Sequence, residues 1–89
     1  MDEETANLQA QIVALRLAVE GAWLSLLGQA ADPVADAERL GRENVATIGQ
    51  LDASTDAARA MRQAVIAHTE QLWGSIAWQL GETARRPDA

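Results

Sequence analysis

Apolar residues recur along this chain at helical spacing, and no stretch alternates as a half-buried strand requires. Read at about 100° per residue, the pattern predicts three helices, over residues 4–29, 33–48 and 53–85. Asp32 and Pro33 mark the second start, a capping side chain followed by proline at the first helical position. Gly49 closes that run, and "LDAST" offers several caps for the third. Arg85, Arg86 and Pro87 suit its end.

The second helix is plainly amphipathic. Val34, Ala37, Leu40, Gly41, Val45, Ile48 and Leu51 form one stripe, while Asp36, Arg39, Arg42 and Glu43 face away. Asn44 falls at the stripe's edge.

The first helix differs. Leu8, Ile12, Leu15, Val19, Ala22, Trp23 and Leu26 read as a core face. Val13, Leu17 and Leu24 form a second apolar stripe nearly opposite, and small residues from Ala10 to Gly28 run between the two. A helix apolar on almost every side belongs inside a structure. Two neighbouring helices cannot surround it. The pattern therefore predicts self-association, with a homodimer as the first expectation and Val13, Leu17 and Leu24 in its interface.

Helix lengths sharpen this. At about 1.5 Å per residue the three helices span about 39, 24 and 50 Å. In an up-down-up bundle the short middle helix returns only part of the way, so the third overshoots the first. Trp73, Ile76 and Leu80 fall in the overshooting turns and are assigned to the oligomer interface, with Trp23 and Trp73 on core stripes. The alternative is a long helical hairpin, in which the second and third helices run on through a kink at Gly49. The fold class is all-α, an antiparallel three-helix bundle or such a hairpin, self-associating, in one domain spanning residues 1–89.

Composition removes most chemistry. The chain has 89 residues, no cysteine and one histidine, which excludes disulfides and thiolate catalysis and speaks against a transition-metal site. Thirteen acids against seven arginines give a net charge of −6, the wrong sign for direct nucleic-acid binding. The start, "MDEETANLQA", lacks the basic, apolar character of a secretory signal, and no stretch of about 20 residues is free of charge. A cytoplasmic protein without a membrane span, metal or cofactor is expected.

Trp78 is the strongest candidate for function. It lies about 150° from the centre of the third helix's core face, with Gly74, Ser75, Gly81 and Glu82 one turn away. A tryptophan raised on a polar face is a typical binding anchor. Trp78, Gly74, Gly81, Gln71 and Arg85 are the candidate partner-binding residues, the other reading of Trp78 being that its ring packs between copies in the homo-oligomer. His68 is the one candidate for phosphotransfer, but Thr69, Gln71 and Leu72 stand where phosphorelay patterns want an acid, a lysine and a glycine. The expectation is a non-catalytic helical interaction module acting as a homo-oligomer and binding at most one further protein. An acidic inhibitor that blocks a nucleic-acid-binding partner, as in mobile-element or antitoxin systems, is the alternative. A phosphorelay protein using His68 is the second.

Overall fold

Each helix begins on a side-chain cap. A computed structural model describes residues 2–86 and contains α1 (Glu3–Leu27), α2 (Pro33–Gly49) and α3 (Asp56–Ala84). The Thr5 amide donates to the Asp2 carboxylate at 2.7 Å, the Ala35 amide to Asp32 at 3.2 Å and the Ala58 amide to the Thr55 hydroxyl at 3.0 Å. These bonds satisfy amides that the first helical turn leaves without partners. Hydrogen bonds from Thr5, its amide first and its hydroxyl second, hold the Asp2 carboxyl below the usual carboxylate range. Among the described residues there is no strand, and the all-α class stands. Pro87, read above as a helix stop, lies outside the described residues.

α2 and α3 are separate helices joined by residues 50–55, which settles the hairpin alternative against a continuous helix. They run antiparallel. Asn44 meets Trp73, while Val34 lies beside Gly81 nearer the other end. At the turn, the Arg62 guanidinium donates to the carbonyls of Gly49 at 3.4 Å and Leu51 at 2.9 Å. These bonds tie the second turn of α3 to the end of α2.

This pairing shifts the overhang. The C-terminal half of α3 lies along the whole of α2, so Trp73, Ile76 and Leu80 are not in free turns. They fill the core of a single chain with Ala37 of α2 and Leu27 of α1. Ile76 and Ala37 are 0% exposed. Assigning Trp73, Ile76 and Leu80 to a subunit interface is therefore corrected: α2 and the end of α1 already cover them. The uncovered turns lie at the other end of α3, where Met61 is exposed.

α1 docks only by its last third. Residues 2–15 are exposed throughout, while Glu20 and Leu27 are buried and Trp23 and Leu24 half-buried. The Trp23 and Trp73 rings sit 5.1 Å apart between centroids, tilted by 54°. The packing is loose for a monomer. The radius of gyration is 15.7 Å, against about 12 Å for a compact domain of this length. The accessible surface is 6593 Å², where a compact monomer of this mass would show about 5,000 Å².

Candidate functional site

Two surfaces stand out among the described residues, one on α1 and one on α3.

On α1 the chain covers the C-terminal end of the stripe expected at a subunit interface and leaves most of the face expected in the core uncovered. Val13, Leu17, Glu20, Leu24 and Leu27 share one narrow stripe, and its C-terminal members turn toward α2 and α3. Leu24, expected in a subunit interface, packs against the chain's own core. Val13 and Leu17 continue the same stripe but lie beyond the reach of α2 and α3, and both are exposed. The face read as core is bare as well. Leu8, Ile12, Leu15, Val19 and Leu26 are all exposed, Ile12 at 65% and Leu15 at 67%. Only Trp23 of that set reaches the core. Helical angles alone do not tell which of two apolar stripes a chain covers itself.

Glu20 explains part of the docking. Its carboxylate, buried in that stripe, accepts from Gln79 Nε2 of α3 at 3.2 Å and pairs with Arg16 of α1 at 3.7 Å. Gln79 also donates to the Ser75 hydroxyl at 3.1 Å. A buried carboxylate needs such partners, and it had no place in the expectation of an apolar core face.

On α3, Trp78 is 66% exposed. Gln71, Gly74, Trp78, Gly81 and Arg85 fall within about 80° of one another around the helix axis and form one stripe. Gln71, Gly74 and Arg85 are exposed and Gly81 half-buried. Arg85 is paired with Glu82 on the same helix. Nothing stands within 4 Å of a Cβ placed on Gly74, so the ground beside Trp78 is open. Gly74 also borders a groove of about 590 Å³ between α2 and α3. Its floor includes Trp73 and Val45, and Glu38, Arg42 and Glu70 line it with charge.

His68, the one phosphotransfer candidate, is exposed on α3. Among the described residues, no group of three or more His, Asp or Glu is arranged to hold a metal ion.

One feature changes the sequence reading of membranes. By length and composition α1 is apolar enough to cross a bilayer, with no more than two charged residues in an 18-residue stretch. Comparison with protein-family models, characterised proteins and solved structures finds no match to this chain.

Proposed function

We propose that this chain is a non-catalytic helical interaction module that works as a homo-oligomer, a dimer in the first instance, in the cytoplasm. The carrying observation is the bare apolar face of α1, from Leu8 to Leu26. Soluble monomers rarely leave a continuous apolar surface of that size open to water. The surplus accessible area, about 1,500 Å² over a compact monomer, exceeds the roughly 800 Å² that each partner contributes to a standard interface.

Protein is a better cover than lipid for this helix. Arg16 lies near its midpoint and Glu20 is only one turn further on. An arginine at the centre of a spanning helix costs about 2.5–3.5 kcal/mol. The buried Glu20 also already joins α1 to Gln79 of α3, and an ionisable side chain is costly to carry into a bilayer.

The exposed Trp78 stripe supports a second contact, with one heterologous protein. It lies on a different helix from the bare α1 face, so the two contacts need not compete. An acidic inhibitor of a nucleic-acid-binding protein is the version of this reading that the net charge of −6 favours.

Native mass spectrometry of the purified, untagged chain tests the proposal. A species at twice 9.5 kDa supports it. A monomer at every concentration, together with partition into lipid vesicles, contradicts it.

A further inference from the structure

The bare face of α1 has a regular spacing. Leu8, Ile12, Leu15, Val19, Ala22 and Leu26 follow one another by steps of four, three, four, three and four residues. That is the a/d spacing of a coiled coil, sustained over nearly three heptads. Ile12 and Val19 take a positions and Leu8 and Leu15 take d positions. β-Branched residues at a with leucine at d favour two strands.

We infer that α1 pairs in parallel with α1 of a second copy of this chain, as a two-stranded coiled coil along this seam. The pairing rests on the homo-oligomer reading and gives it a surface and an orientation.

The fold leaves the seam free. It lies about 140° around the helix from the stripe of Glu20, Leu24 and Leu27 that docks on α2 and α3. The chain's own body therefore sits on the outer side of α1, away from the second copy. The surplus accessible area is more than each partner of a standard dimer interface contributes.

Flanking residues select the orientation. In a parallel pair the g residue of one helix faces the e residue five positions later on the other. Glu4 then faces Gln9, Gln11 faces Arg16, and Ala18 leaves room for Trp23. No like charges meet. An antiparallel pair that keeps the full seam turns about a point near residue 17. It brings the two copies of Arg16 together across the dyad, in place of a neutral partner.

The chain is free of cysteine, so a single introduced thiol reports the orientation cleanly. Thr5→Cys places it at the a position one step before Leu8, on an exposed turn. In the full-length protein, mild oxidation should convert most of this variant to a disulfide-linked dimer. Ile12→Lys with Val19→Lys buries four ammonium groups in the paired seam. It should raise the dissociation constant about 100-fold or more, leaving a monomer. The near-ultraviolet signal of the Trp23–Trp73 pair should persist, since neither substituted side chain belongs to the monomer's core. Val13→Lys with Leu17→Lys, on the other stripe, should leave the dimer intact.

A dimer that survives Ile12→Lys/Val19→Lys overturns the seam while the homo-oligomer reading stands. A dimer in which Thr5→Cys does not cross-link overturns the parallel arrangement. A monomeric wild-type chain overturns both the seam and the reading beneath it. So does a wild-type chain that stays monomeric in water and partitions into phosphatidylcholine vesicles, with lipid then the cover of α1.

Discussion

The indole Nε1 of Trp73 donates to Oδ1 of Asn44 across the α2–α3 pair, at 3.0 Å. This bond links the two helices partway along their contact. It joins a buried aromatic ring to a polar residue at the edge of the α2 stripe. The ring belongs to the buried cluster that also holds Ala37, Ile76 and Leu80, and the amide satisfies its N–H. Asn44→Leu should therefore lower the unfolding free energy by about 1 kcal/mol or more, because it strands a largely buried donor. Urea unfolding followed by far-ultraviolet dichroism measures this. An unchanged midpoint would show that water replaces the amide.

At Gly41, α2 packs tightly on α3. A Cβ there would stand 2.9 Å from Cβ of Trp73 and 3.1 Å from its Cγ. Gly41→Ala should destabilise by about 1–3 kcal/mol, since the helices must spread to admit it. Gly21 is the contrast, with nothing within 4 Å. Gly21→Ala should stabilise by up to about 1 kcal/mol through helix propensity alone. Thermal melts of the two variants should therefore move in opposite directions.

Trp78→Ala should leave both the melting temperature and the oligomeric mass unchanged, because the ring is exposed and stands apart from the core cluster. Its effect should appear only in binding to a second protein. If the substitution instead splits the oligomer, Trp78 belongs to the contact between copies, and the α3 stripe loses its separate role.

His68→Gln should change neither fold nor binding, since the imidazole is exposed and lies outside the core cluster. Incubation with acetyl phosphate should not label the wild-type chain. Phosphorylation at His68 would bring back the phosphorelay reading.

Acid should loosen the start of α1. The Asp2 carboxyl is held below its ordinary range by Thr5, so its charged form favours the folded cap. That contribution is present above the unfolded-state value and is lost as pH falls through the depressed, folded-state value. Amide exchange in the first turn of α1 should accelerate on acidification below the carboxylate range, once corrected for intrinsic rates. Asp2→Ala should fray at neutral pH and lose this dependence.

Much of the fold was legible because local signals carried it. Asp32 and Pro33 marked the start of α2, and "LDAST" contained the cap that α3 uses, Thr55. The α2 stripe was also legible, and its members Ala37 and Gly41 are buried. What the residues did not disclose was level and rotation. The level at which α3 meets α2 depends on the turn at residues 50–55 and on Arg62 reaching back to Gly49 and Leu51. An estimate from helix lengths alone put the overhang at the wrong end of α3.

Both stripes of α1 are apolar, and their periodicity did not disclose which one docks. The one that docks carries Glu20, whose carboxylate accepts from Gln79 of α3, beside Leu24 and Leu27. The heptad seam was in view all along as an apolar face. That a single chain leaves it exposed was not legible, because exposure depends on how the three helices pack.

Amide hydrogen exchange across residues 8–26, followed as a function of protein concentration, tests the central claim most directly. If a second copy covers α1, these amides are protected in concentrated protein and lose protection on dilution. Amides around Ala37 and Ile76, inside each chain, should stay as they are until the whole body unfolds. Exchange in α1 that is equally fast at every concentration, or protection that does not depend on concentration, would contradict the account.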